Sequence, residues 1–141
     1  MKKVLCLILM LAMCCSLWGC SASMLYREFV SASGSGVPKV FGKIVLEIQT
    51  DSMSPTLKPG DIIVCKEVDP EDLKIGDIIT YWTVINGERV LNTHRIYQIY
   101  DGGDYLIFET KGDNNSVPDP LMVHEAEVIG IYVRKAVFGF L

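Results

Sequence analysis

Six runs of β-branched and aromatic residues, each cut short by turn-forming residues, limit what this chain can fold into more than any other feature. They cover 40–48, 62–66, 77–84, 89–100, 105–109 and 127–135, and runs of this length and composition predict strands. Between them stand Lys58-Pro59-Gly60-Asp61, Asn86-Gly87, Asp101-Gly102-Gly103-Asp104 and Gly112-Asp113-Asn114-Asn115. Asn-Gly supplies the two positive φ angles that a two-residue hairpin needs, so 77–84 and 89–100 are predicted to pair antiparallel. The expected fold class is mainly β, with an antiparallel core. No internal repeat is present.

A chain of 141 residues holds one core of ordinary size. Its net charge is −4, and its 13 Lys and Arg residues are scattered rather than gathered in a stripe. That excludes an electrostatic grip on nucleic acid. The apolar excess sits at the start: Val4 to Trp18 carries no charge and follows Lys2 and Lys3. A basic end before an apolar run stays in the cytoplasm while the remainder crosses, which sets the rest of the chain outside. Residues 1–25 therefore read as one N-terminal hydrophobic helix. Val4 to Leu25 is long enough for a single span of the cell membrane. The alternative is a lipoprotein signal, because Leu17-Trp18-Gly19-Cys20 resembles the sequence before a lipidated cysteine. Residues 26–38, including Ser31-Ala32-Ser33-Gly34-Ser35-Gly36-Val37-Pro38, suit a flexible linker. The folded domain is expected over 39–141.

Four of the five cysteines, Cys6, Cys14, Cys15 and Cys20, lie in or beside the apolar segment. Cys65 is left as a core residue, so neither a disulfide nor a Cys/His metal site is expected in the domain. No cofactor is expected.

Thr50-Asp51-Ser52-Met53-Ser54-Pro55-Thr56 is a turn that can expose a hydroxyl. Serine becomes a nucleophile only when a base takes its proton and donors receive the oxyanion. Taken alone, a short Ser/Thr/Pro cluster is simply a polar loop. Ser52-Met53-Ser54-Pro55-Thr56, however, resembles the nucleophile segment of the signal peptidase I family. Gly76-Asp77-Ile78-Ile79 and Lys111-Gly112-Asp113-Asn114-Asn115 resemble two further boxes of that family, in the same order. With the match at Thr93-His94-Arg95-Ile96, the likeness covers 44–133.

The resemblance implies a signal-peptidase-like β catalytic core, with Ser52 as nucleophile and His94 as general base. Most bacterial members carry lysine at the second place; histidine there resembles the endoplasmic reticulum and archaeal branch, which also occurs in some Gram-positive bacteria. Histidine suits the task because its ordinary pKa of about 6.5 leaves it largely neutral at pH 7. Asp113 and Asp119 are the two acidic candidates for orienting it. By resemblance Asp119 pairs with His94 and Asp113 holds the loop, although either could be a simple Asx turn. Thr50 and the Ser52 N–H are implied for the oxyanion, and Met53 for the substrate-binding surface. Asp51 and His124 have no assigned role.

The implied activity is a membrane-anchored serine endopeptidase that removes signal peptides from exported preproteins, with the membrane and those peptides as its partners. Two other readings fit parts of the sequence. An inactive peptide-binding lipoprotein of the same fold is opposed by the presence of Ser52, His94 and Asp119. A repressor-type self-processing protease shares the Ser-Met turn but uses lysine, is cytoplasmic and carries a DNA-binding segment. The apolar tail 136–141 is too short to cross a bilayer.

Overall fold

Alternation of apolar and polar side chains produces eight strands: β1 (Lys39–Val40), β2 (Lys43–Glu47), β3 (Ile62–Lys66), β4 (Ile78–Ile85), β5 (Glu88–Asp101), β6 (Leu106–Lys111), β7 (Val123–His124) and β8 (Val128–Lys135). Two 3₁₀ turns, Pro70–Asp72 and Glu125–Glu127, complete the regular structure. This computed structural model describes residues 37, 39, 40 and 42–136. The apolar segment with Cys20, nearly all of the linker, and residues 137–141 lie outside the described residues. Among the described residues no helix is long and apolar enough to cross a membrane.

All strands join one antiparallel sheet in the order β1-β2-β3-β8-β4-β5-β6-β7. Seven steps of that order are neighbours in sequence or involve the last strand: β8 inserts between β3 and β4, pairing Lys66 with Ile131 on one side and Ile79 with Ile131 on the other. Gly130 permits this close approach, because a Cβ there would sit 2.5 Å from the Lys66 carbonyl oxygen. Bulges fall at Val64/Cys65 and Thr80/Tyr81, where β8 meets its neighbours. They take up the register mismatch that an inserted strand creates.

The Asn86-Gly87 hairpin forms as expected, with φ of 54° and 82° at its two residues and Ile85 paired to Glu88. The expected 40–48 strand is divided instead. Gly42 adopts φ 73°, a conformation closed to most side chains, and turns β1 back onto β2. β7, only two residues long, was not foreseen.

Period-two alternation buries Ile44 and Leu46 of β2, Ile63 and Cys65 of β3, and Phe108 and Thr110 of β6. Leu73, Ile79, Tyr81, Ile96, Phe108 and Val123 form one apolar cluster. Burying a side chain of this size contributes about 1.5–3 kcal/mol each. Truncating Phe108, which is fully buried, to alanine would cost about 3–5 kcal/mol. The same alternation sets His94 and Ile96 inward on β5, with His94 registered against Ile79 and Asn92 against Tyr81. A histidine is thus held at the edge of a packed core, on a strand with a neighbour on each side.

Candidate active site

The loop between β2 and β3 carries Ser52. Its ends are tied by Ile48 N–H to Asp61 O and Gly60 N–H to Ile48 O, at 2.9 and 2.8 Å. Inside it, Ser54 N–H donates to Asp51 O and Leu57 N–H to Met53 O, both at 2.9 Å. The Ser54–Pro55 peptide is cis. Met53 and Leu57 point inward, at 1% and 0% exposure, and pin the loop to the core. Met53, expected at the substrate-binding surface, is therefore an anchor: its buried side chain does not line the cleft.

Three of the expected residues converge. Ser52 Oγ lies 2.9 Å from His94 Nε2, and His94 Nδ1 lies 2.6 Å from Asp119 Oδ2. A carboxylate offers no hydrogen, so the short Nδ1 contact puts the imidazole hydrogen on Nδ1 and leaves the Nε2 lone pair facing the serine. With the Ser52 hydrogen directed to Nε2, the 3.1 Å contact between Thr50 Oγ1 and Ser52 Oγ is donated by Thr50. His94 is buried, while Ser52 is partly open to solvent.

Asp119 Oδ2 also accepts from Thr110 Oγ1 at 2.7 Å and from Tyr81 Oη at 3.1 Å. Tyr81 in turn accepts from Asn92 Nδ2 at 3.0 Å. Burial opposes ionisation of Asp119, but the hydrogen bonds from His94 and Thr110 outweigh it and hold the carboxyl below its ordinary pKa. Burial, together with the neighbouring Asp119 charge, raises the pKa of the Tyr81 phenol despite the Thr110 bond, so it remains a donor.

Asp113 stands elsewhere. Arg95 grips it through Nε to Oδ1 at 2.8 Å and Nη2 to Oδ2 at 2.7 Å, and Thr56 Oγ1 donates to Oδ2 at 2.6 Å. The Arg95 hydrogen bond keeps the Asp113 carboxyl below the ordinary aspartate range, against the opposing effect of burial. Arg95 also donates to the Gly76 carbonyl at 2.7 Å. Next to Asp113, Asn114 N–H donates to Ser52 O at 2.8 Å. Gly112 is required beside it, since a Cβ there would come within 2.6 Å of that same oxygen. The three sequence boxes thus interlock, with the 112–114 segment bracing the serine loop against the histidine strand.

Tyr81, Thr110, Asn92, Arg95 and Thr56 were not singled out from sequence. Tyr81 and Thr110 share the inward alternation of their strands, which is the only signal that could have marked them. His124 is exposed, stacks on Tyr105 with ring centroids 5.1 Å apart, and accepts from Ala126 N–H through Nδ1. Among the described residues no group of His, Cys, Asp and Glu is arranged to hold a metal ion.

A cleft of about 340 Å³ opens over the serine, lined on its polar side by Thr50, Ser52, Asn92, His94 and Asp119. Its apolar wall is Val84, Ile85, Pro120 and Leu121. Pairing of β4 with β8 ends at Tyr81, so residues 82–85 of β4 are held by β5 alone. A buried imidazole between a hydroxyl and a carboxylate, beneath a cleft with an apolar wall, can move a proton off the hydroxyl while an acyl group is attacked.

No family model matches the chain. It is 39% identical over 101 residues to "Signal peptidase I W" of Bacillus subtilis (strain 168), covering 71% of this chain and 52% of that protein. It is 32% identical over 91 residues to "Signal peptidase complex catalytic subunit SEC11" of Scheffersomyces stipitis, covering 64% and 48%. With the SEC11C catalytic subunit of Homo sapiens it shares 27% identity over 109 residues, covering 76% and 52%. The chain spans about half the length of these relatives.

Proposed function

We propose that the chain is a serine endopeptidase of the signal peptidase I family, on the branch it shares with the endoplasmic reticulum subunits, and that it removes signal peptides from exported preproteins. What supports this reading above all is the imidazole of His94, within hydrogen-bonding distance of Ser52 on one side and Asp119 on the other.

In the proposed reaction Ser52 Oγ attacks the scissile carbonyl carbon as its proton passes to His94 Nε2. Asp119 stays anionic and stabilises the imidazolium. The carbonyl oxygen becomes an oxyanion, received by the Ser52 N–H and the Thr50 hydroxyl. Collapse breaks the C–N bond, and His94 returns the proton to the leaving amine. Water then attacks the acyl-enzyme, giving its proton to the same base, and Ser52 is restored. The proposed steps use groups of this chain and water.

The unpaired edge of β4 at 82–85 suits a substrate segment lying in the cleft as an added strand. An apolar segment at 1–25, whether span or lipidated signal, would tether the domain to the outer face of the membrane. Enzyme and signal peptide would then share one surface, which raises their effective concentration.

The test uses the full-length chain in membranes with a preprotein substrate and a serine-directed probe. Ser52→Ala and His94→Ala are each expected to abolish cleavage and, for Ser52→Ala, labelling. Normal cleavage by either variant overturns the proposal, and a folded, unlabelled wild-type chain would favour the inactive peptide-binding reading.

A further inference from the structure

We infer that Tyr81 is a positioning residue, whose phenolic hydroxyl fixes the orientation of Asp119 Oδ2 toward His94. The inference rests on the reading of Ser52, His94 and Asp119 as the catalytic group.

Asp119 belongs to no helix or strand. Loop carboxylates rotate unless something holds them. Its backbone is tied once, by Asp119 N–H to Thr110 O at 2.8 Å. The carboxylate itself is held from three adjacent strands: Tyr81 on β4, His94 on β5 and Thr110 on β6 all reach the same oxygen, Oδ2.

Tyr81 Oη, Thr110 Oγ1 and Asp119 Oδ2 form a triangle with sides of 2.9, 2.7 and 3.1 Å. Two hydroxyl hydrogens serve these three contacts, and an ionised carboxylate supplies none. Asn92 Nδ2 removes the remaining freedom: by donating to Tyr81 Oη it turns the phenolic hydrogen toward the Asp119 side. Asn92 also stands 3.3 Å from His94 Nδ1, whose hydrogen is already directed at Asp119.

Packing does not require the phenolic oxygen. Tyr81 is 1% exposed and lies in the apolar cluster with Ile79, Ile96 and Phe108, where phenylalanine would fill the same ring volume. A buried hydroxyl is unfavourable unless it is fully paired. Both hydroxyls, Tyr81 and Thr110, donate to one carboxylate oxygen, and Asn92 completes the pairing of Tyr81.

The test compares Tyr81→Phe and Thr110→Val in the full-length chain in detergent micelles, with Tyr100→Phe, which removes an exposed phenol bonded to Glu109, as control. Steady-state cleavage of a preprotein gives kcat and KM. Selective ¹⁵N-histidine labelling reads the Asp119 bond directly, since the chain has two histidines. Their neutral tautomers are opposite: His94 carries hydrogen on Nδ1, whereas His124 accepts at Nδ1 from Ala126.

Tyr81→Phe is expected to lower kcat roughly tenfold, the scale of one hydrogen bond to a charged group, with KM unchanged. The His94 Nδ1 proton should move upfield and exchange faster with water. Thr110→Val should act in the same direction, and Tyr100→Phe should change nothing. An unmoved Nδ1 signal in Tyr81→Phe overturns the inference whatever happens to kcat, as does a rise in KM alone. If Tyr81→Phe fails to fold, an unmoved signal in Thr110→Val overturns it. Because the resonance is read without turnover, it stands apart from the outcome for Ser52→Ala and His94→Ala, whose normal cleavage would instead end the catalytic reading.

Discussion

Arg95 holds Asp113 through both carboxylate oxygens, at 2.8 and 2.7 Å, from the position directly after His94. Since Asp113 also accepts from Thr56, the pair joins the strand of His94 to the loop of Ser52. Arg95→Lys keeps the charge but cannot reproduce the two parallel bonds. It is expected to cost about 1–2 kcal/mol of stability and to lower kcat as the Ser52 loop loosens. Urea midpoints and cleavage rates of the full-length protein would check both.

Asp113 and Asp119 both have pKa values held below the ordinary aspartate range in the folded protein. In the unfolded chain such groups take up protons near pH 3.9 or so, before the folded ones do. The unfolded state then binds more protons, so stability is full above that pH and is lost as the pH falls through the depressed folded values. Thermal unfolding between pH 6 and about 3 should show a falling midpoint, and Asp113→Asn should flatten part of that fall. An identical slope in the variant would contradict the assignment.

The two aspartates should separate in kinetics. Asp119→Asn places an amide where His94 needs an anion, and kcat should fall by roughly 10⁴-fold, the scale seen when a triad carboxylate becomes an amide. Asp113→Asn leaves the imidazole contacts intact and should act chiefly on stability, by about 2 kcal/mol. Parallel kinetics and denaturation would show the crossover; equal kinetic losses would mean that the two acids share one task.

Gly112→Ala tests the close passage of the serine loop. Its Cβ would lie 2.6 Å from Ser52 O and 2.8 Å from Asn115 Nδ2. The backbone at Ser52 must give way, at a cost of about 1–3 kcal/mol, and kcat should drop with it. Gly87→Ala is the useful comparison: nothing crowds a Cβ there, but φ is 82°, so it should cost stability at the hairpin without touching turnover.

Local features were the legible ones. β-branched runs marked β2 to β6 and β8, and Asn86-Gly87 announced its hairpin because the turn's positive φ angles select those two residues. Gly42 was read as part of a strand since composition alone does not reveal a φ of 73°. The insertion of β8 pairs residues as distant in sequence as Ile63 and Lys135 and leaves no local trace. Ser52, His94 and Asp119 were found through motif resemblance, not through periodicity. Tyr81 and Thr110 escaped because an inward tyrosine or threonine is ordinary strand composition; only the register of β4, β5 and β6 reveals that their hydroxyls meet one carboxylate. Arg95 went unassigned for the same reason, its partner lying eighteen residues away on the 112–115 turn.

The placement of β8 orders events when the protein is made. Growing from its amino end, the chain first lays down the hairpin that flanks the serine, then the meander that holds the histidine, and the sheet contact between these halves is supplied by 128–135. A ribosome-bound chain cut off before that stretch has Ser52, His94 and Asp119 yet lacks the strand that closes the sheet between β3 and β4. Closure of the sheet therefore waits for the last strand to be synthesised.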